Sequence, residues 1–503
     1  MLRLGFSLRL LNGGARLSQY GWCRGLQRAR GRVRNRGQRG LVALAAEEEA
    51  DPEAERFFYG NKQPFADLGL GSGLVKALEY QGIAHSTAIQ ASAIPAILAG
   101  KDVVIGSETG SGKTLAYLLP VLQDLIERQM DDPPEAYLGN APDWSLFPDV
   151  VILAPNRELC EQVLSVTQSL IEALRGVDDS EDPLLTAEAL YGGNRDYPYG
   201  PGRHAPNIVI CTPVFLADYG TMRNIPIFVK ARTLVLDEAD MLMDGGYKKQ
   251  LDDILTGFRR RDKLVKAEEL PKTQYILAAA TLPTYGLKSV DQFIDRAFPD
   301  AVRLRNQYLH QHHPAIKQKF IEIDPGIEAK IEALLDVLSE ETKAQEFHRT
   351  MIFTNTLSSC KEVFAACEEA GLPAAPYHKE VTPFERAENL DMFRSGELPL
   401  LVCTDLASRG LDIPSVSRIV QVEFATNVVQ HLHRLGRAAR AGKKGTATSF
   451  YDASNADLVN SIRAAGERGS LDASFSRRRG FRKKFKKFGP SRRGVPNRNS
   501  ERS

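Results

Sequence analysis

Short apolar runs, each closed by turn or polar residues, recur along the chain and alternate with stretches of helical period. In the first half they are DVVIGS (102–107), DVVILAP (149–155), NIVICTP (207–213), RTLVLDEAD (232–240) and QYILAAAT (274–281). In the second half they are TMIFTN (350–355), PLLVCTD (399–405), SRIVQVE (417–423) and GTATSFYD (445–452). Runs rich in Val, Ile and Leu, without polar alternation, predict strands covered on both faces, as parallel strands are when helices flank the sheet. The pattern therefore predicts two consecutive α/β blocks. Ligands of open α/β sheets bind beyond the C-terminal ends of the strands, where these runs turn polar.

The segments that break the pattern set the organisation. LRNQYLHQHHPAIKQKF (304–320) is polar and aperiodic and reads as the connection between blocks, its centre at 305–315. That leaves a first domain over 58–304 and a second over 316–470. Residues 128–149 and 175–185 read as surface insertions, and the basic tail 471–503 is too polar to build a core. No run approaches the roughly 18 apolar residues that predict a membrane-spanning helix, so no membrane partner is expected. Six scattered cysteines, with no C-x-x-C pair, argue against a disulfide framework and a zinc site.

Charge is strongly segregated under a net +2. Residues 1–46 carry ten Arg, no Lys and no acid, and residues 477–503 carry twelve Lys or Arg against one Glu, leaving −19 for the middle. The acid-free, Arg-rich start followed by EEEADPEAE matches an organellar transit peptide better than a secretory signal, which needs a continuous apolar region. The other reading is a basic arm that stays in place and binds RNA. In the tail, Phe475, Phe481, Phe485 and Phe488 are interleaved with Arg and Lys, a composition suited to gripping phosphates and stacking on unpaired bases. A solvated polybasic tail serving solubility or targeting is the alternative.

The first strand runs into GSETGSGKT (106–114), in which Gly110, Gly112, Lys113 and Thr114 match the end of a phosphate-binding loop that opens a helix. Glycines let backbone N–H groups close around phosphate oxygens, and the helix N-terminus adds its dipole. Lys113 would reach the β- and γ-phosphates and Thr114 would hold Mg²⁺; Ser107 stands where the strict motif has Gly. Asp237, Glu238 and Asp240 crowd the mouth of a strand, a costly arrangement unless a cation is bound. Asp237 is placed to hold Mg²⁺ and Glu238 to activate the water that attacks the γ-phosphate.

With these residues in order, the chain over about 60–470 resembles the DEAD-box RNA helicases, and most of all plant plastid members that assist ribosome assembly. The resemblance implies two tandem RecA-like parallel-sheet domains with a cleft between them and basic termini outside. It implies that Thr109, Gly110, Ser111, Gly112, Lys113 and Thr114 cradle ATP, that Gln90 of GIAHSTAIQ (82–90) reads the adenine, and that Phe65 packs nearby. Ser86 and Ile83 stand for the family's Pro and aromatic there. Asp405 would approach the ribose, and Arg437 and Arg440 of HLHRLGRAARAG would be the fingers that neutralise the γ-phosphate, making Lys113, Glu238, Arg437 and Arg440 the catalytic set. His433 and Arg434 would bridge to the acids of the first domain, with Thr281 of AAAT (278–281) linking the nucleotide and RNA sites. RNA contacts would come from Arg157, Gly192, Gly193, Thr212, Thr354, Asn355, Thr404 and Arg409. Five further departures stand out: Val214 and Phe215 replace Gly-Arg, Ala279 replaces Ser, and Lys379 and Pro383 replace Gly and Gln beside His378 and Arg386.

The expected function is ATP-dependent remodelling of RNA, organellar rRNA in a pre-ribosomal particle, by a monomer in the chloroplast stroma or, second, the mitochondrial matrix. An ATP-gated RNA clamp with weak hydrolysis and a DNA-directed helicase of the same superfamily are the competing readings. Dependence on RNA 2′-hydroxyls separates the last of these, and duplex unwinding separates the first two.

Overall fold

The computed structural model describes residues 63–131, 148–177, 185–192, 205–222, 231–244, 246–264, 272–282, 290–306, 309, 315–344, 349–407, 416–438 and 444–467. A two-residue ladder, β1 (Gln63–Pro64) with β2 (His85–Ser86), precedes the first sheet. That sheet comprises β3 (Val103–Gly106), β4 (Val150–Leu153), β5 (Ala187–Leu190), β6 (Ile208–Cys211), β7 (Thr233–Leu236), β8 (Gln274–Ala279) and β9 (Val302–Arg305). Its spatial order is β5-β6-β4-β7-β8-β3-β9. The second comprises β10 (Ile316–Glu322), β11 (Thr350–Phe353), β12 (Ala374–Tyr377), β13 (Leu400–Cys403), β14 (Arg418–Gln421) and β15 (Gly445–Tyr451), ordered β10-β15-β14-β11-β13-β12. Every pairing in both sheets is parallel.

The apolar runs explain the sandwiching directly. Side chains of a strand alternate between faces, so an unbroken apolar run must be covered twice. In β4, Val150 and Ile152 enter one core while Val151 and Leu153 enter the other; Ile208 and Ile210 against Val209 and Cys211 repeat the split in β6. In the second sheet Met351 and Phe353 face one core and Ile352 the other, with Leu401 and Cys403 set against Leu400 and Val402. Each such side chain removed from water contributes roughly 1.5–3 kcal/mol. All nine apolar runs are strands, and all nine lie inside their sheets.

The connection read at 304–320 needs correction. Val302–Arg305 pairs with β3, and Ile316–Glu322 pairs along its length with β15, so the sheets claim both ends of that stretch. These strands alternate polar and apolar residues because each sits at a sheet edge with one face less covered, which hid them among polar loop sequence. The leader 1–46, the tail from 471 and the centres of both insertions lie outside the described residues. No helix among the described residues is long and apolar enough to cross a membrane. The five described cysteines are free and buried, and burial pushes the Cys160 and Cys367 thiols up to about 12.

Candidate nucleotide and RNA site

The phosphate loop joins β3 to the Lys113–Asp131 helix. Gly110 and Gly112 have φ of 87° and 84°, a region closed to most side chains. A Cβ on Gly112 would also lie 2.3 Å from Gln90 Nε2. Lys113 Nζ donates to the carbonyls of Ser107 (2.7 Å) and Glu108 (2.9 Å), so its ammonium sits inside the loop where phosphate oxygens would be received. Two groups from the preceding helix brace the loop. Thr87 Oγ1 donates to Ser111 O at 2.8 Å, and Gln90 Nε2 donates to Gly112 O at 3.0 Å. The same pair forms the capping box of the Ala88–Leu98 helix, with Thr87 N donating to Gln90 Oε1. Gln90, expected at the adenine edge, thus gives its amide nitrogen to the loop and its amide oxygen to the cap of its own helix. Phe65 is buried in the first domain's core nearby.

The strand order β7-β8-β3 sets Asp237, Thr281 and the loop side by side at the C-terminal edge of the sheet. Tyr117 Oη donates to Asp237 Oδ2 at 2.9 Å, and the Thr114 hydroxyl bonds to the same phenol. Burial, then the neighbouring Glu238 charge, raises the Asp237 carboxyl to about 7, against the lowering pull of Tyr117 and Lys113. A cation here would relieve that strain, and the oxygen donors of Thr114 and Asp237 are the kind a hard dication takes. Glu238 follows with φ 49°, the only positive value at a non-glycine among the described residues. Its Oε2 is buried without a hydrogen-bond partner. Asp240 is held differently: its Oδ2 accepts from Thr281 Oγ1 at 2.6 Å and Thr281 N at 2.9 Å. Burial alone would raise Asp240, but His433, Thr281 and Lys113 hold it below the usual carboxylate range.

The second domain closes the site. The Val428–Leu435 helix, capped by Asn427, brings His433 Nε2 to 3.5 Å from Asp240 Oδ2, with both side chains about 2% exposed. One turn on, Gly436 lies directly against Thr109. Arg437 is buried beside them, its Nε donating to His433 O at 3.3 Å. Arg434 behaves otherwise than expected. It turns back into its own domain, donating to Asp405 Oδ1 (2.7 Å), Asn355 Oδ1 (2.7 Å), Gln421 Oε1 (3.2 Å) and Glu423 O (2.8 Å) while lying over Phe353. A guanidinium so occupied has no reach toward the acids of the first domain; it orders the loops carrying Asp405 and Asn355 instead.

Of the residues expected to meet RNA, Arg157 is half exposed at the start of the Arg157–Val177 helix, Gly192 is exposed, and Thr212 and Thr404 are partly so. Thr354 is fully buried, its hydroxyl directed to the carbonyls of Thr356 and Cys403, so it shapes its loop and offers no side chain outward. Gly193, Arg409 and Arg440 lie outside the described residues. Three contributors were missed in the sequence. Tyr117 sits four residues after Lys113, one helical turn along the same face. Tyr191 carries the Arg157 guanidinium 4.7 Å above its ring and donates to Glu161. Glu158, neighbour of Arg157, meets Arg386 of the second domain at 2.8 Å. Tyr191 opens the YGG stretch (191–193) and Glu158 follows Arg157, and those positions were the signals that could have marked them.

Residues 87–290 match the family described as DEAD/DEAH box helicase, and residues 329–442 match the helicase conserved C-terminal domain. DEAD-box ATP-dependent RNA helicase 22 of Oryza sativa subsp. japonica is 33% identical, over 86% of this chain and 85% of that protein. The protein of the same name from Arabidopsis thaliana is 32% identical, over 90% and 89%. Among solved structures, S. cerevisiae Dbp5 bound to RNA and ADP BeF3 superposes with TM-score 0.62 at 24% identity, covering 82% of this chain and 93% of that one. Mss116p bound to ssRNA and AMP-PNP gives 0.65 at 22%, covering 84% and 79%. Those two likenesses establish the fold, and the sequence relatives establish the family. With both domain families matched in order and one-third identity along most of both chains, this protein belongs to the DEAD-box ATP-dependent RNA helicases.

Proposed function

We propose that this helicase binds ATP with Mg²⁺ in the cleft, closes on RNA, and uses hydrolysis to remodel organellar rRNA locally during ribosome assembly, acting as a monomer. The observation that carries the reading is the shared acid: Asp240 is fixed by Thr281 from one side and faced by His433 of the other domain. Nucleotide state and domain closure thus meet at one carboxylate. Thr114 and Asp237 would hold Mg²⁺, which neutralises phosphate charge. Glu238, buried with a free oxygen, would orient and deprotonate water, and Arg437 with Arg440 would stabilise the charge of the departing phosphoryl group. Arg157 and the polar loop ends face RNA phosphates and sugars, so recognition follows backbone shape more than sequence.

Steady-state ATP hydrolysis by the full chain, with RNA, with matched DNA and with neither, tests this beside Glu238→Gln. RNA stimulation that vanishes in the variant supports the remodelling enzyme. A second reading, an ATP-gated RNA clamp with weak hydrolysis, is favoured by Ala279, buried and without the hydroxyl of its family counterpart. ATP-dependent RNA binding that never raises turnover would select it, and Ala279→Ser should then restore turnover.

The acid-free residues 1–46 support an organellar location, the chloroplast stroma first and the mitochondrial matrix second. Fusing them to a fluorescent protein and scoring import into each organelle decides between the two; a fusion entering neither would sink the organellar reading.

A further inference from the structure

Three ligand atoms to which the hydrolytic reading gives separate roles also converge on one point at the cleft. One oxygen each of Glu238 and Asp240 and a ring nitrogen of His433 all lie within 4.8 Å of one another. All three side chains are more than nine-tenths buried. Glu238 Oε2 and His433 Nδ1 have no hydrogen-bond partner, and His433 Nε2 has only the Asp240 carboxylate, 3.5 Å away and short of a hydrogen bond. Buried polar groups are nearly always satisfied, so two unsatisfied residues pointing at one another require an explanation.

We propose that Glu238, Asp240 and His433 form a site for a borderline transition-metal dication of the Zn²⁺ class, completed only when the two domains meet. An imidazole with two carboxylates is a donor set such ions accept, whereas Mg²⁺ prefers an all-oxygen octahedron and keeps its water. Thr281, donating twice to Asp240, orients that carboxylate as outer groups do around ligands. The site is distinct from the pair Thr114 and Asp237 in both residues and chemistry. Tetrahedral bonds of about 2.0–2.2 Å require the ligand atoms to draw in by about 1 Å. Because His433 belongs to the second domain, the ion locks the cleft shut. Because Glu238 is a ligand, the lock also removes the group that activates water; that consequence rests on the hydrolytic reading above.

The test uses the full chain without nucleotide, in millimolar Mg²⁺, titrated with Co²⁺ as spectroscopic probe and then Zn²⁺ as competitor. Fluorophores on the two domains report closure. One visible Co²⁺ band per chain, without a thiolate charge-transfer band, shortened interdomain distance and displacement by Zn²⁺ support the site. His433→Gln and Glu238→Gln should each weaken binding at least about 10-fold with melting temperature preserved. Binding unchanged in both variants, a thiolate band from the cysteines, or erasure by excess Mg²⁺ overturns it. Neither readout involves ATP turnover, so the site can stand if RNA-stimulated hydrolysis fails, and fall if hydrolysis is confirmed.

Discussion

A Cβ placed on Gly436 would lie 1.5 Å from Thr109 Oγ1 and 2.7 Å from Thr109 Cβ. The loop that receives phosphate and the helix end that precedes Arg437 are therefore in van der Waals contact through a residue with no side chain. Neither atom can retreat far, because Thr109 sits in a loop braced by Thr87 and Gln90. Gly436→Ala should hold the domains apart and displace Arg437 by about 1 Å, enough to cost about 100-fold in catalysis. RNA-stimulated hydrolysis measured beside circular dichroism checks this; near-normal turnover in a folded variant would refute the close approach.

Arg386 and Glu158 join the domains at 2.8 Å on the side of Arg157, with only 12% and 16% of their side chains exposed. A pair this shielded resists screening better than a surface bridge. Removing either partner should weaken ATP-dependent RNA binding while leaving ATP binding alone. A double-mutant cycle with Glu158→Gln and Arg386→Gln, read by RNA affinity in the ATP-bound state, should return a coupling of about 1–3 kcal/mol. Additive losses would show that the two act separately.

Burial and Glu238 raise the Asp237 carboxyl from 3.8 to about 7 in the ligand-free protein. Between those values the folded chain holds a proton that the unfolded chain has released, so stability falls as pH rises toward 7. Asp237→Asn removes the cost. Its ligand-free melting temperature should exceed the wild type's by a few °C at pH 8, with the gap closing near pH 4, although hydrolysis is lost. Thermal melts across this range decide it, and equal melting temperatures at pH 8 would contradict the assignment.

Arg157 lies over the Tyr191 ring, which both orients the guanidinium and keeps it half exposed. Such a stack is worth about 0.5–1 kcal/mol at an exposed site. Tyr191→Ala should raise the RNA concentration needed for half-maximal hydrolysis by roughly 2–5-fold with little change in the maximal rate. Tyr191→Phe keeps the ring and should behave as wild type. Loss of activity in Tyr191→Phe would instead assign the role to the hydroxyl bonded to Glu161.

The sequence by itself determined the interior of both sheets and the row of chemistry at their edges. Every strand legible as an apolar run, β3, β4, β6, β7, β8, β11, β13, β14 and β15, has neighbours on both sides. The four it concealed, β5, β9, β10 and β12, are the four sheet edges. Edge strands bury less, so they tolerate Glu188, Arg303, Lys317 and even Pro376, and the pattern that betrays a central strand is erased. Only the tertiary structure decided which polar side chains meet. His433 and Arg434 are adjacent in sequence, but successive helical residues point about 100° apart. One therefore faces Asp240 across the cleft while the other is buried on Phe353 within its own domain. Gln90, expected at an adenine, also donates to Gly112 O, a contact that its sequence surroundings did not suggest. Such pairings join residues that are not neighbours in any one helix or strand, and no local pattern records them.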